Sequence, residues 1–188
     1  PFKVLLDYGH NPAAINMIGK FVDQMQVSGR KTAVVTFPGD RTDELIEESV
    51  KLLPKHFTHF IVKQDDNRRG RPSGEVAELI RSLLIKHGTK AENIEIILDE
   101  QEAVNKALSS AVEGDYVVVF ADKVSRCWKQ ITSFKSTGNV RVKDVDTRAD
   151  DHLLERGEVD LIADAISNAT MRTDKRGVII EIEEELND

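Results

Sequence analysis

Five short apolar segments, spaced along the first two-thirds of the chain, constrain its fold more than any other feature. Each is rich in β-branched or aromatic residues and precedes a stretch with helical periodicity. Since these segments have no polar face, they predict strands that are covered on both sides, as in a parallel sheet between helical layers. The predicted strands are Phe2–Leu6, Lys31–Phe37, His59–Lys63, Ile94–Leu98 and Tyr116–Phe120.

The segments between these strands have the apolar spacing of amphipathic helices. Pro12 opens the first helix, because proline suits a first helical turn, and Gly88 ends the third as a C-terminal cap. Residues 1–135 are therefore predicted to form an α/β, Rossmann-like domain with a mostly parallel sheet and helices on both faces. The helices after the first are predicted at Thr42–Leu53, Glu75–His87, Glu100–Val112 and Val124–Phe134.

The pattern changes after residues 136–139. Val140–Val145 predicts a short strand, Glu158–Ala169 has helical periodicity, and Gly177–Glu183 alternates like an edge strand. Charge-rich stretches at Asp146–Glu158 and Glu181–Asp188 are typical of partly disordered segments. Residues 136–188 are therefore predicted to be a small, partly flexible C-terminal extension of the main domain.

Composition narrows the class of protein. The 188 residues are 40% hydrophobic and 31% charged, which suits one globular domain with an appendage. The net charge of −7 argues against nucleic acid as a partner, and no apolar stretch approaches the roughly 20 residues of a membrane span. Cys127 is the single cysteine, which excludes an internal disulfide and favours a reducing cytoplasm. Because the chain begins at Pro1, we expect it to be a piece of a longer polypeptide.

Polar loops follow the predicted strands. Open α/β sheets carry their ligand sites at the carboxyl ends of the strands, so we expect these loops to converge on one rim. Arginine suits carboxylates and phosphates because its fork donates two parallel hydrogen bonds, whereas Asp65 and Asp66 are also suited to a cation. The alternative is that these loops are merely solvated surface. The residues expected to converge are Asp7, Arg41, Asn67, Arg68, Arg71 and Asp122.

Three motifs link this rim to a known family. Asp7–Pro12 reads DYGHNP and resembles the DYAHNP signature of Mur-type amide ligases, with Gly9 in place of alanine. Pro38–Glu44 (PGDRTDE) and Lys63–Ile80 (KQDDNRRGRPSGEVAELI) are similar to the corresponding loops of the cyanophycin synthetases, which belong to that family. The resemblance continues through Ile97–Glu100, Ala103–Leu108 and Val124–Arg126, so it covers roughly the first 135 residues and leaves the tail unexplained.

The resemblance implies an activity, the ATP-dependent attachment of arginine to aspartate side-chain carboxylates through an acyl phosphate. It implies that Asp7 binds the ribose of ATP and that His10 and Asn11 face the same nucleotide cleft. It also implies that Arg41 and the following loops position the incoming amino acid. The predicted substrate-binding residues are Arg41, Asp65, Asp66, Asn67, Arg68, Arg71, Glu75 and Asp122.

One departure bears on the substrate. The third loop reads Asp66-Asn67-Arg68-Arg69, where the ligases that add diaminopimelate have Asp-Asn-Pro-Arg. This difference favours arginine as the incoming amino acid.

The phosphate-binding loop of such enzymes, Gly-x-x-x-x-Gly-Lys-Ser/Thr, does not occur in the chain. Gly29–Thr32 is a near miss that precedes a strand. We therefore expect ATP and Mg²⁺ to be held mainly by an upstream central domain, the chain's first partner, and the isolated chain to be inactive. No residue of the chain is predicted to be catalytic or to ligate a metal. An amino acid and an acidic peptide are the expected substrates, and assembly into a homo-oligomer stays open.

Alternatives remain at this stage. Another Mur-type ligase, acting on polyglutamate or a peptidoglycan precursor, shares the same motifs. A non-catalytic binding module would keep the fold and lose the chemistry. Asp7 and His10 also suit helix capping, which would give them a purely structural role.

Overall fold

The computed structural model describes residues 2–134, 170–174 and 177–181, which fall into two units that divide after Asp144. In the first unit, five parallel strands form a sheet in the order β1-β5-β2-β3-β4. The predicted mostly parallel sheet is confirmed. The strands are β1 (Lys3–Asp7), β2 (Lys31–Val35), β3 (His59–Val62), β4 (Ile94–Ile96) and β5 (Tyr116–Phe120).

Five helices follow these strands in turn. Asn11, Thr42 and Asp99 cap the first, second and fourth helices, where each side-chain oxygen accepts a backbone N–H three residues on. The helices are α1 (Pro12–Gln24), α2 (Asp43–Val50), α3 (Glu75–Lys86), α4 (Glu100–Ser110) and α5 (Val124–Thr132). The second is shorter than predicted, because the chain tightens into a 3₁₀ turn at Leu53–Lys55, where Pro54 lacks the N–H that an α-helix needs.

The helices cover both faces of the sheet. On one face, α1, α2 and α3 pack against strand residues such as Val35, Phe60 and Val118. On the other face, α4 and α5 pack against Val34 and Ile61 together with part of β5. Because neighbouring strand residues point to opposite faces, the uninterrupted apolar runs in the sequence serve two cores at once. No helix among the described residues is long and apolar enough to cross a membrane.

In the second unit, β6 (Thr170–Asp174) and β7 (Gly177–Glu181) form an antiparallel pair. The predicted strand at Gly177–Glu183 is thus found over most of its length, and its partner was not anticipated. The strand predicted at Val140–Val145, the helix at Glu158–Ala169 and the charge-rich stretches between and after them lie outside the described residues. The extension of residues 136–188 stays a prediction.

Candidate functional site

The loops that follow β2 and β3 form a single surface. Gly39 lies so close to the third loop that a Cβ atom there would stand 2.3 Å from the carbonyl oxygen of Arg68, so only glycine allows this approach. Arg71 donates from Nε to the Gly39 carbonyl at 3.0 Å and from Nη2 to the Arg41 carbonyl at 2.8 Å. The backbone of the two loops therefore brings Arg41, Arg68 and Arg71 to the same surface, as predicted.

Arg71 is also paired with acidic side chains. It forms ion pairs of 2.8 Å with Asp43 and with Glu75, and the hydrogen bonds to these two carboxylates raise the pKa of its guanidinium. Most of its donors are thus engaged by the protein. These contacts give Arg71 and Glu75 a role in shaping the loop, and their predicted contact with substrate stays a prediction.

Three charged groups on this surface have no such partner. Among the residues that the structure describes, no hydrogen bond or ion pair engages the Asp65 carboxylate or the guanidinium groups of Arg41 and Arg68. The Nε atom of Arg41 is buried without a hydrogen-bond partner among the described residues, which is rare in native proteins. Asp65 and Arg68 line one small pocket, which is closed by Phe37, Gln64, Pro72 and Val76.

Asp65 has an unusual acidity for an aspartate. Burial raises its pKa to about 6, although the positive charge of Lys63 acts in the opposite direction. A cationic ligand group beside Asp65 would offset this cost by favouring the ionised carboxylate. The arrangement suits the recognition of a positively charged group at the pocket.

The other predicted residues of the third loop are held by the protein. The Asp66 carboxylate pairs with Arg126 through contacts of 2.8 and 3.2 Å. The backbone N–H of Asp66 donates to Asp122 Oδ2 at 3.0 Å. Asn67 accepts the N–H of Arg69 at 3.0 Å and so closes a turn. The Asp122 side chain therefore lies at the third loop, as predicted, where it accepts a hydrogen bond from the loop backbone.

Sequence reasoning missed a buried ionic cluster beneath this loop. Glu100, at the start of α4, pairs with Lys63 at 3.0 Å and with Arg126 at 2.6 Å, and the side chains of Lys63 and Glu100 are fully buried. Burial alone would raise the pKa of Glu100, but Lys63, the Asp122 N–H and Arg126 lower it to about 2. The sequence held one sign of this cluster. Arg126 is a charged residue on the buried face of α5, which also carries Cys127 and Gln130.

The connection between β1 and α1 carries the predicted nucleotide residues. The Asp7 side chain accepts the N–H of Gly9, Asn11 Oδ1 accepts the N–H of Ala14 at 2.9 Å, and His10 Nδ1 lies 3.0 Å from the Tyr8 carbonyl oxygen. Asn11 is therefore the helix cap, and Asp7 is not.

This connection joins the same rim. The Asp7 carbonyl accepts the N–H of Ala121 at 2.8 Å, directly before Asp122. Arg69, in the third loop, has a raised pKa, caused first by its hydrogen bond to Asp40 in the loop after β2.

The described residues fit part of a nucleotide. One Asp7 oxygen accepts the N–H of Gly9, which leaves the second oxygen able to accept a ribose hydroxyl. The near-miss segment Gly29–Thr32 includes the start of β2 and so lies at the amino ends of the strands, opposite the rim. Its Arg30 forms an ion pair with Asp115. It therefore does not belong to the rim. Within residues 2–134, no group of three or more His, Cys, Asp or Glu side chains is arranged to hold a metal ion.

Comparison with known proteins finds relatives of the first unit of the chain. The cyanophycin synthetase of Synechocystis sp. is 39% identical over 137 residues, which are 73% of this chain and 15% of that enzyme. The cyanophycin synthetase of Nostoc sp. is 42% identical over 130 residues, which are 69% of this chain and 14% of that enzyme. The chain thus spans only a small part of the length of these relatives.

A solved structure is similar as well. It is that of a UDP-N-acetylmuramoyl-L-alanyl-D-glutamate--2,6-diaminopimelate ligase, with a TM-score of 0.50 and 26% identity over 64% of this chain and 24% of that one. The sequence model described as "Mur ligase, glutamate ligase domain" matches residues 1–122. Because this match covers more than half of the chain, the chain belongs to the Mur ligase family.

Proposed function

We propose that this chain is the C-terminal domain of an ATP-dependent amide ligase of the cyanophycin synthetase type. The full enzyme would attach arginine to the side-chain carboxylate of an aspartate residue in an acidic peptide. The similarity to two cyanophycin synthetases supports this class of reaction. A cytoplasmic location and the possibility of a homo-oligomer belong to the same proposal.

One observation carries the assignment of substrate. Asp65 and Arg68, which have opposite charges and no protein partner among the described residues, line the same pocket. Free arginine has the complementary pattern, an α-carboxylate at one end and a guanidinium at the other. Arg68, together with Arg41 from the neighbouring loop, would bind the carboxylate, and Asp65 would bind the guanidinium.

The sequence offers two other carboxylates for the guanidinium, Asp66 and Glu75, which were also predicted to bind substrate. Asp66 is paired with Arg126, and Glu75 is paired with Arg71. A guanidinium that approached either of them would have to displace an existing ion pair. Asp65 is therefore the preferred acceptor.

The rest of the site follows from the reaction. In the full enzyme, the acceptor carboxylate would receive the γ-phosphoryl group of ATP with release of ADP, and the α-amine of arginine would then form the C–N bond as phosphate leaves and the amine gives up a proton. Asp7 would hold the ribose, and the phosphates and Mg²⁺ would be held mainly by the upstream domain. The residues of this chain would then act by holding amine and carboxylate in a productive orientation, which supplies much of the rate in such transfers.

The proposal is tested with the full-length enzyme that contains this chain. ADP release is measured with an aspartate-rich peptide acceptor and, in turn, arginine, lysine, glutamate and diaminopimelate. We expect turnover with arginine, and a weaker response to lysine because it lacks the planar fork. Turnover with diaminopimelate or glutamate alone would replace this proposal by another Mur-type ligase, and binding without turnover would indicate a non-catalytic module.

The 188-residue chain itself is expected to be inactive and to bind ATP weakly, because it lacks the Gly-x-x-x-x-Gly-Lys-Ser/Thr loop. Calorimetric titration with Mg-ATP measures this directly. Micromolar affinity, or any ATP turnover by the purified chain, would contradict the proposed division between domains.

A further inference from the structure

The Glu100 carboxylate is saturated by protein donors. Oε1 lies 3.0 Å from Lys63 Nζ and accepts the N–H of Asp122 at 2.7 Å. Oε2 accepts from Arg126 Nη2 at 2.6 Å and from the N–H of Lys123 at 3.3 Å. A carboxylate offers about four lone-pair directions, so no position is left for a substrate atom. Glu100 therefore cannot be a ligand of the amino acid.

The groups that Glu100 contacts come from different elements of the fold. Lys63 directly follows β3, Asp122 and Lys123 form the turn after β5, and Arg126 belongs to α5. A single buried side chain on α4 thus ties together the ends of two strands and the helix that follows the second. These are the elements from which the rim is built.

The connection reaches the pocket in two further steps. Arg126 contacts both carboxylate oxygens of Asp66, and the Asp66 N–H donates to Asp122. Asp66 is consequently fixed through its side chain and its backbone. Since Asp65 is the next residue along the chain, its direction at the pocket is set by groups that Glu100 holds.

From this geometry we propose that Glu100 is a positioning residue, which fixes Asp65 and the turn after β5 so that the rim is preformed for the incoming amino acid. The consequence for amino acid binding rests on the proposed function, whereas the positioning of the loop does not. A positioning residue of this kind affects chemistry through geometry, and displacement of a binding group by about 1 Å can cost up to roughly a hundredfold in rate.

The first experiment compares Glu100→Gln with Asp115→Asn in the full-length enzyme. Asp115 is a matched control, since it is a buried carboxylate that binds an arginine and two backbone N–H groups at the opposite end of the sheet. We expect Glu100→Gln to raise the KM for arginine roughly tenfold or more and to leave the KM for ATP within about twofold. Asp115→Asn should change neither constant by more than about twofold. Equal effects of the two variants on both constants would overturn the proposal.

The second experiment does not depend on which substrate the enzyme uses. In the 188-residue chain, NMR measures the amide exchange of Asp66 and Asp122 and the titration of the Asp65 carboxyl carbon. Because Glu100→Gln removes a nearby negative charge while Lys63 remains, the pKa of Asp65 should fall below its value near 6, and both amides should exchange faster. Unchanged amides and an unchanged Asp65 titration would refute positioning, even if arginine proves to be the substrate.

A second variant guards against loss of folding. Arg126→Lys keeps the positive charge beside Glu100 but cannot reach both Asp66 oxygens with a planar fork. We expect the same faster exchange at Asp66 and the same selective rise in the arginine KM. If arginine supports no turnover in the wild type, the proposed function fails, and the amide and Asp65 measurements still decide the role of Glu100.

Discussion

Each end of the sheet contains a buried carboxylate that binds an arginine and two backbone N–H groups. At the amino end, the Asp115 carboxylate accepts the N–H of Arg30 at 2.7 Å and of Val112 at 3.1 Å, and binds the Arg30 guanidinium at 2.9 Å. At the carboxyl end, Glu100 likewise accepts two backbone N–H groups and binds an arginine. In both places, a buried carboxylate accepts backbone N–H groups that would otherwise need water. Asp115 does so before β5, and Glu100 does so in the turn after β5.

The difference lies in the surroundings. At the amino end the Asp115 carboxylate is buried, but its partner, the Arg30 side chain, is 41% exposed and so keeps contact with water. At the carboxyl end, Lys63 is completely buried, and the adjoining loops carry charged groups that no described residue neutralises. A fold gains no stability from charges arranged in this way. Under the proposed function, we expect the carboxyl end to bind the substrates and the amino end to have no part in binding.

The largest expected effect concerns stability. Glu100→Ala should lower the free energy of unfolding by about 3–5 kcal/mol, because it leaves Lys63 buried without an anionic partner. Asp115→Ala should cost about 1–3 kcal/mol, because the exposed Arg30 can turn to water. Urea unfolding of both variants measures the difference. Equal losses would show that the two ends are alike.

The next effect concerns the incoming amino acid. In the full-length enzyme, Arg41→Ala should lower kcat/KM for the amino acid roughly ten- to a hundredfold, as expected for the loss of one charged hydrogen bond. The KM for ATP should stay nearly unchanged. Arg30→Ala is the control from the amino end and should leave both constants as they are. A similar loss in the two variants would remove the functional distinction between the ends of the sheet.

Within the carboxyl end, the nucleotide and amino acid sides should be separable. Asp7→Ala should raise the KM for ATP by roughly tenfold, since its carboxylate is assigned to the ribose. The KM for the amino acid should change much less. If Asp7→Ala and Arg41→Ala raise the ATP KM alike and spare the amino acid, the proposed division of the rim is wrong.

The smallest expected effect is a pH dependence of opposite sign at the two ends. Burial raises the pKa of Asp65 to about 6, so unfolding releases a proton between about pH 4 and pH 6. The wild type should therefore lose stability relative to Asp65→Asn as pH rises through this window. The change should be about 1 kcal/mol, since partial exposure screens the charge.

Asp115 provides the opposite case. Burial alone would raise its pKa, but the N–H groups of Arg30 and Val112 and the Arg30 side chain lower it below 3.8. Its contribution to stability is present above pH 3.8 and is lost as pH falls further. Urea unfolding of Asp65→Asn and Asp115→Asn between pH 3 and pH 7 measures both trends. Parallel pH profiles would contradict the comparison.

The sequence predicted the fold because the signals for it are local. Apolar runs, helical periodicity and capping residues such as Asn11 and Asp99 each act within a few positions of the chain. The end of α2 was misjudged because the apolar pattern continues through Leu53, while Pro54 changes the backbone.

The candidate site was only partly predictable for the opposite reason. The strand-end position of Asp65 and Arg68 follows from the sheet, and the sequence indicates it. Whether a charged group is free or already paired depends on contacts between distant residues, such as Glu100 with Lys63 or Asp66 with Arg126. The register that brings these residues together is set by the packing of α4 and α5, which no local pattern contains.

The anchoring of the third loop has a consequence for how such enzymes diverge. Asp66 is fastened to α5 and Arg71 to the preceding loop, while Asn67–Gly70 turns the chain between them with left-handed backbone at Arg69 (φ 50°) and Gly70 (φ 91°). All four residues between the anchors are exposed, but Asn67 closes the turn and Arg69 and Gly70 have left-handed backbone, so Arg68 is the position whose side chain can be exchanged at least risk to folding. Under the proposed function, exchange of Arg68 would change the preference for the incoming amino acid while the anchors on either side stay intact.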